Sequence, residues 1–211
     1  MRRFPVIIAF LLLFALVLQC DDDPPPPIDF EDPGRYYLIN QEYTWTYARL
    51  GLNCTVSEDD TFTVTAQKRS SRVVEGVSHN GWDIVAVTGG GGTGFVYRVA
   101  DTIFFWADVN LPQVLPYKVL VGPIKDGTFW TDRPRHSYEY EIQGFEDYYS
   151  ASANHTYDGC AKIKRTTPGQ TRVQYTWWAA PEAKVAEIYY ESAQCKEGWQ
   201  LKRRYTNPEY P

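Results

Sequence analysis

The chain is poor in the residues that most catalytic and metal chemistry draws on. Its one methionine is the first residue, and its three histidines, His79, His136 and His155, lie far apart without an H-E-x-x-H pattern. That argues against a metal site, which needs convergent ligands at suitable spacing. Positive charge is not in excess: 21 Lys and Arg stand against 26 Asp and Glu, a net charge of −5. Nucleic-acid binders usually show a basic face, so nucleic acid is not an expected partner. There is no G-x-S-x-G elbow, and the run Gly89 to Gly94 lacks the Gly-Lys-Ser/Thr ending of a phosphate loop. It leads into the strand-like Phe95-Val96-Tyr97-Arg98-Val99, whereas phosphate binding wants a helix N-terminus. Long hydrophobic runs are missing too. The apolar stretch Val6–Leu18 would extend about 20 Å as a helix, short of the roughly 30 Å hydrocarbon core.

What is present begins with an address. Arg2 and Arg3 followed by that short apolar stretch have the layout of a secretory signal. The stretch ends in Val17-Leu18-Gln19-Cys20, which resembles the lipobox of bacterial lipoproteins. The resemblance implies that Cys20 is acylated, becomes the new N-terminus and holds the protein on a membrane. An ordinary secretory signal or an uncleaved short anchor is the alternative. Asp21-Asp22-Asp23 and Pro24 to Pro27 follow; proline has no N–H to donate and a fixed φ, so this segment favours an extended polyproline II spacer. The organisation expected is a signal peptide over 1–19, lipidated Cys20 and tether over 20–34, one β-domain over 35–206 and a short tail over 207–211. The location expected is the bacterial cell envelope, on a periplasmic or surface face, with inner membrane, outer membrane and cell surface all open.

Period-two alternation dominates the rest. Phe62-Val64-Ala66 alternate with threonines, Tyr138-Tyr140-Ile142 with Glu139 and Glu141, and Val173-Tyr175-Trp177 with Arg172, Gln174 and Thr176. This is the strand signal. Turn chemistry at Asn80-Gly81, Gly89 to Gly94, Asp126-Gly127, Pro168-Gly169 and Glu197-Gly198 separates ten to twelve short strands. Ala180 to Glu187 has a proline near a helix start with good helix formers after it. Val185–Tyr190 runs on as a strand, however, so Pro181 is read as a turn before that strand, with a helix as the alternative. The expected class is all-β, an antiparallel, strongly curved sheet or incomplete β-barrel with little helix. The doublets Tyr36-Tyr37, Phe104-Phe105-Trp106, Tyr148-Tyr149, Trp177-Trp178 and Tyr189-Tyr190 put neighbouring aromatics on opposite faces. Both faces are therefore expected to be at least partly covered, by a sheet curved around an apolar cavity or by a partner.

Three stretches are similar to a group of bacterial lipoproteins of largely uncharacterised function. Tyr36 to Tyr47 is similar to that group's opening strand YYPLxxGxxWTY, with Leu38 and Glu42 in place of its proline and glycine. Gly159-Cys160-Ala161-Lys162-Ile163 is similar to a later strand of the group. Trp177-Trp178-Ala179-Ala180-Pro181 is similar to a turn before its final hairpin. The resemblance implies the lipoprotein-carrier fold, an incomplete β-barrel whose concave face holds acyl chains. It implies no catalytic residues.

The remaining chemistry is sparse. His155, Asp158 and Cys160 are adjacent only in sequence, which does not supply a catalytic geometry. The basic clusters Lys162-Lys164-Arg165 and Lys202-Arg203-Arg204 form a cationic strip if their strands are neighbours, and otherwise pair with acids such as Glu139 and Glu141. An exported chain can keep a disulfide; Cys54 in the first hairpin turn and Cys195 in the last are the expected pair, with Cys160 free. The expected role is non-catalytic, without metal or cofactor: binding a hydrophobic ligand, lipid or acyl chain, with Trp45, Trp82, Trp106, Trp177 and Trp178 as candidate contacts. The alternatives are an interaction module for an envelope protein and a glycan-binding or glycan-hydrolysing domain.

Overall fold

The computed structural model describes residues 31–37, 43–86, 93–111, 114–132 and 136–206. Cys20, the acidic and proline-rich segment up to Phe30, and the tail over 207–211 lie outside the described residues, as does most of the glycine run. Twelve strands carry the fold: β1 (Tyr43–Leu50), β2 (Val56–Val74), β3 (Val77–Ala86), β4 (Thr93–Val99), β5 (Thr102–Trp106), β6 (Tyr117–Val121), β7 (Phe129–Thr131), β8 (Glu139–Ser150), β9 (His155–Thr166), β10 (Arg172–Ala179), β11 (Ala183–Glu191) and β12 (Gln194–Thr206). The only described helical turns are 3-10 turns at Pro33–Arg35 and Leu52–Cys54.

The strands form one antiparallel sheet in the order β6-β5-β4-β3-β2-β1-β12-β11-β10-β9-β8-β7. This is an up-and-down meander whose first and last strands pair, from Tyr43 opposite Thr206 to Leu50 opposite Gly198. The barrel is nearly closed, and its one seam lies between β6 and β7. Side chains bridge it: the Asp132 carboxylate accepts from the Lys118 backbone N–H at 3.3 Å, and Lys118 Nζ donates to the Thr131 carbonyl at 3.4 Å.

The alternation seen in the sequence sorts side chains as the pleat requires. Tyr43, Trp45 and Tyr47 stand opposite Ala66, Val64 and Phe62 on the inner face. The interleaved threonines meet on the other side, with Thr44–Thr65 and Thr46–Thr63 hydroxyl pairs at 3.3 Å. Segment 31–37 packs on the barrel: Asp32 pairs with Arg98 at 2.7 Å, and the Ile124 N–H bonds to the Glu31 carbonyl at 2.8 Å. The packed part therefore reaches back to Glu31, into the stretch read as tether.

Two long hairpins bend over the barrel's outside and cover its second face. In β8, register shifts between Ile142 and Phe145 and between Glu146 and Tyr148 bend the strand. This lays Tyr148 on Trp177 at 5.1 Å between ring centres and lets the Ser150 hydroxyl donate to the Leu201 carbonyl at 2.6 Å. At the other hairpin, Val74 joins Phe95 and Tyr97, with Phe104 and Trp106 packed against them, in a second apolar cluster. The doublets are thus divided between two covered faces, except that Tyr149 is 57% exposed.

Two expected turns are strand interior instead. Asn80-Gly81 lies within β3, and the reversal is at Glu75-Gly76; Glu197-Gly198 lies within β12, and the reversal is at Ser192-Ala193, both with positive φ. The glycines serve close approach. A Cβ on Gly81 would stand 2.1 Å from the Val96 carbonyl oxygen, and one on Gly198 would stand 2.4 Å from that of Glu187. Ser192-Ala193 carries none of the glycine or asparagine that usually marks such a turn.

Candidate functional site

Three adjoining spaces lie in the barrel, each sharing lining residues with the next. The first is an aromatic chamber of about 150 Å³, enclosed by Tyr37, Trp45, Tyr47, Phe62, Phe105, Tyr117 and Trp178 together with Val64, Ile84 and Val119. Its rings hold one another: Tyr47 stacks on Phe62 at 5.1 Å, and Tyr37 lies 5.6 Å from Trp178. Two of their polar tips are turned away onto backbone. Trp45 Nε1 donates to the Glu182 carbonyl at 3.1 Å and the Tyr47 hydroxyl to the Lys184 carbonyl at 3.0 Å. Burial pushes the Tyr37, Tyr47 and Tyr117 phenols well above their ordinary pKa, so all stay neutral. The chamber presents apolar ring faces.

The second space is a neck of about 50 Å³ that shares Tyr117, Val119, Trp178 and Lys184 with the chamber. Here β9, β10 and β11 turn polar side chains inward: Arg165, Gln174, Thr176 and Glu187. Gln174 is opposite Arg165 across β9–β10, and Glu187 is opposite Thr176 across β10–β11. Lys184 Nζ holds Glu187 Oε2 at 2.5 Å, and the Tyr189 hydroxyl donates to Oε1 at 2.8 Å. Burial raises the Glu187 pKa, but the Lys184 ammonium and the Tyr189 bond outweigh it and hold the carboxyl below its ordinary value. Arg165 lies 4.5 Å from the centre of the Tyr138 ring and 5.9 Å from that of Tyr189. Burial pulls its pKa down, and the surrounding phenols with Glu187 more than reverse this.

The third space is a mouth of about 290 Å³ that shares Arg165 and Gln174 with the neck. Thr167, Gln170 and Trp199 border it, with Arg172 paired to Glu197 and set over the Tyr189 ring at 4.3 Å.

Of the five candidate tryptophans, the structure places Trp45 and Trp178 in the chamber wall. Trp82 is in the main core without bordering the chamber, Trp106 packs in the outer cluster, and Trp177 lies under the β8 arm with its Nε1 donating to Glu146 at 2.7 Å. The two basic clusters do not meet. β9 and β12 are separated by β10 and β11, so the strip does not form. Lys162 pairs with Glu146, Lys202 with Glu58 and Arg204 with Glu182. Gln174, Glu187 and the inward setting of Arg165 are not among the contacts expected from sequence, because period-two alternation separates two faces without saying which is inside.

Cys54 and Cys195 are joined, with Cα atoms 5.6 Å apart, and Cys160 is a buried thiol. Burial pushes that thiol's pKa up to about 12, and its Sγ donates to the Tyr157 carbonyl at 3.2 Å. The thiolate is the reactive form. The Cys20→Ser protein, with its disulfide intact, is therefore expected to take up no iodoacetamide at pH 8 when native and one equivalent per chain when denatured without reductant; stoichiometric labelling of the native form would overturn this. Among the described residues, no group of three or more His, Cys, Asp or Glu side chains converges as metal ligands would.

The molecule is thus a nearly closed antiparallel β-barrel with an aromatic interior adjoining a charged neck. No protein-family model matches the chain, and no curated protein matches it. Two solved structures are similar. A candidate exported protein with a YMCC-like fold from Bacteroides fragilis NCTC 9343 has a TM-score of 0.49 at 11% identity, covering 79% of this chain and 96% of that one. A candidate lipoprotein from Parabacteroides distasonis ATCC 8503 has a TM-score of 0.46 at 11% identity, covering 81% and 98%.

Proposed function

We propose that this chain is a lipid-anchored bacterial envelope protein, non-catalytic, whose barrel binds a hydrophobic ligand. The aromatic chamber carries the reading. The Trp45 and Tyr47 tips are bonded to backbone and the Trp178 indole N–H to the Thr176 hydroxyl, so the lining offers mainly apolar surface to an occupant. Its volume sets the scale: about 150 Å³ matches a cavity that holds benzene. The enclosed part of a ligand is then a ring or a short length of acyl chain, with the remainder reaching into the neck and mouth. The lipobox resemblance at Cys20 and the proline strut supply the anchoring half of the reading, on a periplasmic or surface face.

A glycan-hydrolysing role has less support, since the one carboxylate of the neck, Glu187, is held by Lys184 and Tyr189 rather than facing a second acid. An envelope-assembly role has less as well. The exposed large apolar residues are spread over the chain, Val73 and Val77 at the β2–β3 turn, Phe145 and Tyr149 on β8, and Leu52, Val99, Leu111, Leu115 and Phe129 elsewhere.

Native mass spectrometry tests both halves, comparing protein gently extracted from its own membrane with the Cys20→Ser form. The expected result is a reproducible extra mass on the Cys20→Ser protein, plus a further acyl mass that depends on Cys20. A bare Cys20→Ser mass would remove the ligand-binding reading, and an absent Cys20-dependent mass the anchor.

A further inference from the structure

The charged side chains that line the three adjoining spaces are Arg165, Lys184, Glu187, Arg172 and Glu197. Three are cations and two are carboxylates, and the pairing is uneven. Lys184 takes Glu187 and Arg172 takes Glu197. Among the described residues, no carboxylate forms an ion pair with Arg165, which stands where neck and mouth join. Its guanidinium is always charged, and an unpaired charge set inside a barrel is costly. The Tyr138 and Tyr189 rings lie within 4.5 and 5.9 Å of it. Ring faces answer part of the charge. The five N–H donors lie in the guanidinium plane, more than the bordering Tyr140 and Tyr189 hydroxyls can take. Across the β9–β10 register stands Gln174, only 5% exposed, whose Oε1 has no hydrogen-bond partner among the described residues. A half-turn of an amide exchanges its carbonyl for its N–H₂, so the group can donate to the same point. A fork of donors without a carboxylate in ion-pair contact and an amide oxygen without a partner thus stand in the wall of the neck, beside the aromatic chamber.

We infer that the barrel takes a monoanionic amphiphile, with a carboxylate head on Arg165 and Gln174 and an apolar tail reaching through the neck into the chamber. This rests on the ligand-binding reading above and specifies its ligand class. One negative charge neutralises the surplus cation, and the planar fork matches a carboxylate in two parallel bonds.

The test uses tail-matched probes on the full chain carrying Cys20→Ser in detergent-free buffer, hexanoate against hexanol, by isothermal titration calorimetry at pH 7.5. Hexanoate is expected to bind about tenfold tighter than hexanol, and Arg165→Gln is expected to bring the two within about twofold of each other. Arg165→Lys keeps the charge without the fork and is expected to lower the preference several-fold, which covers the case in which Arg165→Gln does not fold. Equal binding of both probes to the native chain would overturn the inference and leave the chamber reading standing. So would a preference for hexanoate that persists undiminished in Arg165→Gln or Arg165→Lys. Binding of neither probe would overturn the chamber reading, and the inference with it.

Discussion

Replacing Cys54 and Cys195 together by alanine is expected to lower the free energy of unfolding by about 5 kcal/mol on the chain-entropy account. The cross-link joins residues 141 apart in sequence, so it closes a loop spanning most of the barrel and restricts the unfolded chain accordingly. Its position adds a native-state effect. The 3-10 turn at Leu52–Cys54 and the β11–β12 turn are the ends of hairpins on either side of the β1–β12 pair. The bond therefore clamps the strand pairing that closes the meander. For a domain of this size the loss corresponds to a fall in melting temperature of about 10 °C or more. Scanning calorimetry of the double alanine variant, run beside the parent with and without dithiothreitol, measures it. A variant that melts within about 2 °C of the parent would mean that strand closure does not depend on the bridge.

The second large effect lies in the neck. Lys184→Met is expected to cost about 3 kcal/mol, because it leaves the Glu187 carboxylate inside the barrel without the cation it is hydrogen-bonded to. The Glu187 side chain is 12% exposed and that of Lys184 31%, so water shields the pair only in part. Replacing both, Lys184→Met with Glu187→Leu, is expected to come within about 1 kcal/mol of the parent, since the charge is then gone rather than stranded. Denaturant titration of the two single variants and the double variant reads the coupling; additivity would show that the pair is not energetically linked.

The pH dependence follows from the direction of the Glu187 shift. Its carboxyl is held below the ordinary 4.5 in the folded chain, so its contribution to stability is fully present above that pH. It is lost as pH falls through the lowered folded value. In Lys184→Met the same carboxyl keeps its burial but loses the ammonium that contributes most to holding it down, with the Tyr189 bond and the weaker influence of Arg165 left, and its pKa moves up. The deficit of that variant is therefore expected to shrink on acidification from pH 7 towards pH 4, the reverse of the parent's trend. Urea unfolding at a series of pH values checks the crossing.

How much of this was legible in the sequence differs by element. The strands were plain where one face repeats a residue type, as in Phe62-Val64-Ala66 against the threonines of β2. Period-two patterning reports a half-buried sheet directly. The turn before β11 was legible from Pro181. The β3 and β12 glycines misled, because a glycine that lets a carbonyl approach and a glycine that turns the chain look the same in sequence. Of the candidate tryptophans, Trp177 and Trp178 could not be told apart by type. The pleat alone sends Trp178 to the chamber and Trp177 under the β8 arm.

By itself, the sequence determined the all-β class, a strongly curved antiparallel sheet of about a dozen strands and the need to cover both faces. These follow from local alternation and from the sheer number of aromatic doublets. The up-and-down order and the length of the long strands came from the structure. Only the tertiary structure decided which polar residues turn inward. Gln174 and Thr176 alternate with Val173, Tyr175 and Trp177, and Arg165 and Glu187 stand opposite them on the neighbouring strands, a pattern that separates two faces without saying which is inside. The bent arm of β8 covers the opposite face of β10 to β12, where Tyr175 and Trp177 lie, and this leaves their polar face as the wall of the neck. Period-two patterning divides side chains between two faces, but closure of the barrel and bending of the hairpins decide which face is inside.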